Sequence, residues 1–376
     1  MLLLRHILYR LFHFVDQMVD TWRFKMVQVA GRQTNLPIKI ATYRGFGRSD
    51  RIFLQGRVFI KKSIRNKPLQ SAWQQLLDSY HRLNSSELPR AHLRIRFENH
   101  LLETFTDANG YFTLEEDIHP PLSQTVKHWI SVHIELLSTP WGALPAKAST
   151  KILIPPPQAD FGVITDIDDT IIHTGVTSLL KWEVVFNTIF KSPARRKVFK
   201  EVAAFFRALR QGTRPDGFNP IFYVSNSPRN FHSLVKKYLR IHRLPKGPLM
   251  LRDIGIPYKL HHRRNNSHKM DAILRILETY PQLPFILIGD SGEKDPYLYH
   301  EISTRLPGRI QAILIRDVKH IGRRKRLKPL LESSQTPAIQ LFESYRQAAL
   351  LAVSQGFMRQ EVFDAFCHEM NPSGNA

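Results

Sequence analysis

Between residues 158 and 330 the chain alternates short apolar runs with amphipathic stretches, and few folds accept that alternation. The runs are Phe161–Thr165, Ile221–Val224, Phe285–Ile288 and Ile310–Ile315. Each is apolar almost throughout rather than at every second residue, as expected of strands buried on both faces. Helical spacing follows at about 195–210, 229–240 and 268–279, with a shorter helix starting near Pro296. Strand and helix in repetition predict a doubly wound α/β domain on a parallel sheet.

Such a sheet binds its ligands beyond the carboxyl ends of its strands. The first strand runs out into Asp166-Ile-Asp168-Asp169-Thr170 and the second into Ser225-Asn226-Ser227. The third runs out into Gly289-Asp290-Ser291-Gly292, with Asp295 five residues after Asp290. Carboxylates gathered at one edge repel one another unless a cation sits among them. Mg2+ is the expected ion, held by Asp166 and Asp290 with waters and a substrate phosphate. No His or Cys cluster points to zinc. A carboxylate attacking a phosphoryl group gives an aspartyl-phosphate and divides one displacement into two. Asp168 falls on the same side of an extended backbone as Asp166, about 6–7 Å away. That suits a general acid that protonates the leaving alkoxide and then activates the hydrolytic water.

The texture before residue 155 is different. Leu93, Ile95 and Phe97 alternate with Arg94, Arg96 and Glu98, and Ile130, Val132, Ile134 and Leu136 alternate with polar neighbours. Period-two patterning predicts antiparallel strands with one dry face, here a small β-sandwich over 38–154, with Asn109-Gly110 as a tight hairpin turn. Pro155-Pro156-Pro157 then reads as a stiff connector. The expected organisation is an amphipathic N-terminal helix (1–30), the sandwich (38–154), the catalytic domain (158–330) and a helical C-terminal segment (336–370). The apolar stretch 176–191 reads as a small cap over the site. In the first helix Arg5, His6, Arg10 and Asp16 interrupt the apolar face, which argues against a signal peptide or a spanning helix. It is expected to pack on the protein's own body or to lie on a membrane surface.

Lys and Arg total 54 against 32 Asp and Glu, a formal charge of +22. That surface attracts anions, phospholipid headgroups and nucleic-acid backbones among them. Basic clusters stand at 195–197, 263–264 and 323–326. A single cysteine, Cys367, excludes an intrachain disulfide and Cys-rich zinc, and the expected location is cytoplasmic, with peripheral contact to membrane.

The chain resembles the haloacid dehalogenase superfamily, whose Asp-x-Asp-x-Thr motif after a buried strand falls on Asp166, Asp168 and Thr170. Its second motif falls on Ser225, its lysine best on Lys269 among the neighbouring His261, His262, Arg263, Arg264 and His268, and its acidic motif on Gly289-Asp290 and Asp295. The longer stretches 166–175, 223–228 and 288–296 look like the phosphatidate phosphatases of the actin-patch-protein type. Tyr43-Arg-Gly-Phe-Gly47 and Gly56-Arg-Val58 resemble the β-domain that precedes catalysis in bacterial members. The resemblance implies Asp166 as nucleophile, Asp168 as acid and base, and Thr170, Ser225, Asn226 and Lys269 around the phosphate. It places Mg2+ among Asp166, Asp168, Asp290 and Asp295. The implied substrate is phosphatidate or a related lipid phosphate, met at an anionic membrane surface. The alternatives are a soluble or nucleic-acid phosphomonoester, and a catalytically silent basic lipid-binding module. Asp295 before Pro296 also suits a helix cap, as does Ser227 before Pro228.

Overall fold

The computed structural model describes residues 38–60, 86–122, 128–140, 145–167, 193–252, 268–292, 294–317, 327–332 and 337–370. Asp168, Thr170, the N-terminal helical pattern, the 176–191 insertion and the clusters at 263–264 and 323–326 lie outside the described residues.

The first nine strands are β1 (Ile38–Thr42), β2 (Gly45–Arg48), β3 (Arg51–Ile60), β4 (Ser86–Glu87), β5 (His92–Phe97), β6 (His100–Phe105), β7 (Tyr111–Asp117), β8 (Trp129–Ser138) and β9 (Ala146–Leu153). They form one hydrogen-bonded sheet along β1-β3-β2-β9-β8-β5-β6, with β4 and β7 also joined to β3. A sandwich-like core is present, built by this single sheet folding over. Leu54, Val58 and Leu114 from β3 and β7 share one buried cluster with Leu93, Ile95, Val132 and Ile134 from β5 and β8. All the pairings are antiparallel except that of β2 with β9. The Asn109-Gly110 turn forms, with Gly110 at φ +70°, but it is not a hairpin. Its flanking strands part, β6 pairing with β5 and β7 with β3.

The second sheet is parallel and six-stranded. Its members are β10 (Gly162–Asp166), β11 (Ile221–Pro228), β12 (Leu249–Arg252), β13 (Phe285–Asp290), β14 (Ile310–Arg316) and β15 (Ile339–Phe342), in the order β12-β11-β10-β13-β14-β15. The helices are α1 (Pro193–Gln211), α2 (His232–Ile241), α3 (His268–Thr279), α4 (Asp295–Arg305), α5 (Tyr345–Ser354) and α6 (Gln360–Met370). Alternate strand residues bury against opposite layers, which is why the strands read as unbroken apolar runs. Val163, Tyr223, Ile288 and Leu314 join the cluster containing α1, α2, α5 and α6. Ile164, Phe222, Leu287 and Ile313 join the cluster containing α3 and α4.

The C-terminal segment departs from the helical expectation at its start. Before α5 the chain lays β15 against β14, with Ile313 opposite Ile339 and Arg316 opposite Phe342. Four residues are too few for periodicity to separate a strand from the start of a helix. α5 and α6 then cover the α1 side of the sheet, so residues beyond 336 complete its hydrophobic layer.

The two sheets share a core. Phe46, Phe53 and Leu153 of the first sheet belong to the same buried cluster as Phe222 and Phe285 of the second and Tyr280, which follows α3. Phe46 is fully buried, its ring 4.9 Å from Phe53 and 5.6 Å from Phe222. The Gly47 N–H donates to Tyr280 Oη at 3.1 Å. Arg275 ion-pairs with Glu115 at 3.3 Å and lies 4.8 Å over the Phe53 ring. Phe46→Ala should therefore cost about 3–5 kcal/mol, read as a lowered urea midpoint. Tryptophan emission and far-UV ellipticity should fall together, because the cavity opens between both sheets. A parent-like midpoint would show that the shared core adds little.

Candidate active site

The polar strand ends meet as the topology requires. Asp166 closes β10, Asp290 closes β13, Asp295 opens α4 and Lys269 is the second residue of α3. All four are buried, Asp166 and Asp290 with no exposed surface. One carboxylate oxygen from each of Asp166, Asp290 and Asp295 lies within 4.8 Å of the others. Lys269 Nζ stands 2.8 Å from Asp166 Oδ1 and 2.8 Å from Asp295 Oδ1. Among the described residues three carboxylates meet one ammonium, and a buried excess of negative charge is costly without a further cation. The donors are all oxygens, buried and convergent, and that set suits a hard divalent ion.

Local structure explains how the residues come so close. A Cβ on Gly289 would lie 2.6 Å from Asp295 Oδ2, 2.8 Å from Asp295 Cβ and 2.9 Å from the Tyr299 ring. Only a glycine lets α4 seat Asp295 against the end of β13. The Gly292 N–H donates to Asp290 Oδ1 and the Ser291 N–H to the Arg316 carbonyl at 2.9 Å, fixing the turn between β13 and α4. The cap position of α4 is Lys294, without a side-chain cap bond. Asp295, the first helical residue, accepts from the Lys269 ammonium at 2.8 Å.

On the neighbouring strand Asp166 pairs with Val224, so Ser225 and Asn226 follow at the same edge. Ser225 is fully buried, and its Oγ accepts the Ser227 N–H at 2.9 Å. Pairing of β11 with β12 is irregular between Ser225 and Pro228, where the chain turns away. The 3-10 turn that follows is capped at Pro228 with no side-chain bond. The Ser227 N–H thus supports Ser225 through the backbone.

Two tyrosines that the sequence reading did not single out back the cluster. Tyr299 Oη donates to the Ile288 carbonyl at 3.2 Å. Burial, then the Asp295 carboxylate, hold its hydroxyl well above the usual tyrosine range. Tyr345 opens α5 and is buried; burial chiefly raises its hydroxyl, Arg316 opposes, and Asp290 and Asp166 add to the rise. The only trace of Tyr299 in the sequence is its position one helical turn after Asp295. Tyr345 lies beyond the segment where the motifs stand.

His232 begins α2, with its ring 4.0 Å from that of Tyr43. Burial, then Lys236 and Arg44, lower its pKa to about 3.

Gly289→Ala should lower the melting temperature by the equivalent of about 1–3 kcal/mol, as the new methyl displaces Asp295 from Lys269. Parent-like stability would mean that Asp295 moves freely. For His232 the folded pKa lies below the unfolded value, so the unfolded chain binds the extra proton and stability falls as pH drops below about 6.5. From pH 6 to 5 the parent should lose about 1 kcal/mol more than His232→Phe, measured by denaturant unfolding. Equal losses would place the imidazole in solvent.

Residues 161–317 match the family model described as phosphatidate phosphatase APP1, catalytic domain. Phosphatidate phosphatase APP1 of Saccharomyces cerevisiae is 35% identical over 156 residues, which is 41% of this chain and 25% of that protein. An uncharacterized protein of Schizosaccharomyces pombe, C29B5.04c, is 26% identical over 226 residues, 59% of this chain and 36% of that protein. The chain therefore spans well under half the length of these curated relatives. Among solved structures a Bacteroides uniformis beta-glucuronidase 2 aligns at 11% identity with a TM-score of 0.23, over 81% of this chain and 39% of that chain. That likeness is too slight to inform the fold. The similarity to a phosphatidate phosphatase catalytic domain falls on the segment that carries Asp166, Ser225, Lys269, Asp290 and Asp295.

Proposed function

We propose that this chain is a magnesium-dependent phosphatidate phosphatase of haloacid dehalogenase type, releasing phosphate from phosphatidate to leave diacylglycerol. The observation that carries the reading is the buried cluster of Asp166, Asp290 and Asp295 around Lys269, inside the segment similar to a phosphatidate phosphatase catalytic domain. Asp166, Asp290 and Asp295 would hold Mg2+, together with Asp168 two residues after Asp166. Bound there, the ion supplies positive charge to the phosphoryl oxygens.

The chain's own residues supply the remaining steps. The Asp166 carboxylate attacks phosphorus, the bond to the lipid oxygen breaks, and the phosphoryl group passes to the aspartate. Asp168 gives its proton to the departing alkoxide, then takes one from the water that hydrolyses the aspartyl-phosphate. Lys269, already 2.8 Å from Asp166 Oδ1, offsets the negative charge that gathers and orients the nucleophile. Ser225, Asn226 and Thr170 donate to the phosphoryl oxygens. Among the described residues no helix is long and apolar enough to cross a membrane. With a formal charge of +22, attraction to an anionic lipid surface is the means by which the chain reaches its substrate.

The test is phosphate release from phosphatidate in mixed micelles, with and without Mg2+. Release should require Mg2+, depend on the surface fraction of phosphatidate, and fall about a thousandfold or more in Asp166→Asn. Activity surviving that substitution would remove Asp166 as nucleophile. No release from phosphatidate, with Asp166-dependent release from a soluble aryl phosphate, would keep the chemistry and discard the lipid.

A further inference from the structure

The loop that carries Ser225 and Asn226 is held from outside the parallel sheet. β11 ends at Pro228 and the chain passes through Arg229–Phe231 into α2, so movement of that turn reaches Asn226 within three residues. Regular pairing with β12 has already lapsed between Ser225 and Pro228. Two aromatic rings of the first domain contact the turn, Tyr43 between β1 and β2 and Tyr111 of β7. The Tyr43 ring is 4.0 Å from His232. The Arg229 guanidinium lies over the Tyr111 ring at 5.4 Å, while Arg229 Nε donates to the Leu251 carbonyl of β12 at 3.3 Å. One side chain thus joins the nine-stranded sheet to β12, across the mouth of β11.

The Tyr111 ring is itself fixed. Arg57 lies 5.1 Å from its centroid, and Arg57 is buried and ion-paired with Glu87. Gly110 holds φ +70°, and a Cβ there would stand 2.6 Å from the Val58 carbonyl oxygen, so the backbone entering β7 sits hard against β3. The order Glu87, Arg57, Tyr111, Arg229 runs unbroken from the nine-stranded sheet to the turn. A guanidinium over an aromatic face is held more strongly when it is partly desolvated, and phosphoryl donors must be placed to a fraction of an ångström.

We propose that Tyr111, seconded by Tyr43, is a positioning residue for catalysis. By holding the Arg229–His232 turn, the nine-stranded sheet sets the placement of the Ser225 and Asn226 donors. The first domain is then part of the catalytic apparatus rather than an appended module. This inference rests on the phosphohydrolase reading of the site.

The experiment uses the full chain as parent, Tyr111→Leu and Tyr111→Phe; Phe retains the aromatic face and Leu removes it. Hydrogen–deuterium exchange is followed over residues 223–232, and Mg2+-dependent hydrolysis of a soluble aryl phosphate is measured per folded molecule. Tyr111→Leu should speed exchange of that segment about tenfold and lower kcat by a similar factor, with KM changed less than about twofold. Tyr111→Phe should restore both to within about twofold of the parent. Unchanged exchange at 223–232 in Tyr111→Leu, or a Phe variant that behaves like Leu, would overturn the proposal. A parent that hydrolyses no phosphate ester would fail the phosphohydrolase reading alone, and the exchange comparison would still decide whether Tyr111 holds the turn.

Discussion

The ammonium of Lys269, held 2.8 Å from both Asp166 and Asp295, is the interaction on which the site depends. Buried charges are expensive, and breaking a buried pair by removing one partner leaves the other uncompensated. Three carboxylates in so small a volume are tolerable only when positive charge is built in beside them. Lys269 provides part of it from the start of α3, and the acids arrive from two strand ends and a helix start. The packing follows from that requirement: Gly289 is bare so that Asp295 fits, and Tyr299 fills the space beneath with its hydroxyl bonded to the Ile288 carbonyl. Such an arrangement stores negative potential at the edge of the sheet.

The nine-stranded sheet is bound to this framework by a common core. Phe46 sits between the sheets, Tyr280 answers the Gly47 amide, and Arg275 reaches Glu115 and Phe53. Anchored in this way, the first sheet extends Tyr43 and Tyr111 to the turn after β11. Residues beyond 336 act from the opposite side, where β15 extends the sheet past β14 and Tyr345 backs the acids. The site is thus enclosed by parts of the chain far from its motifs in sequence.

How legible each part was follows from how local its signal is. The strands β10, β11, β13 and β14 announce themselves as apolar runs, and the acids stand where those runs end. Lys269 stood among several basic neighbours, of which His261, His262, Arg263 and Arg264 lie outside the described residues, and its ammonium is ion-paired with Asp166 and Asp295. Strands β12 and β15 were not legible, being four residues each. Period-two patterning gave the inward faces of the first sheet correctly but carries no information on partners. The single folded sheet, and the divergence of β6 and β7 around Asn109-Gly110, therefore had no local signature. Tyr111 and Arg229 come together across 118 positions of sequence, and nothing in either segment alone indicates it.

The most direct measurement of the central claim is chemical trapping of the phosphorylated enzyme. The chain is mixed with phosphatidate and Mg2+, quenched in acid, reduced with borohydride, and digested for mass spectrometry, so that an acyl-phosphate is recorded as a reduced aspartate side chain. The mark is expected at Asp166, appearing with Mg2+ and substrate and absent without either. Phosphate release at full rate with no mark at Asp166, or with the mark on another carboxylate, would contradict a nucleophile held in place by Lys269.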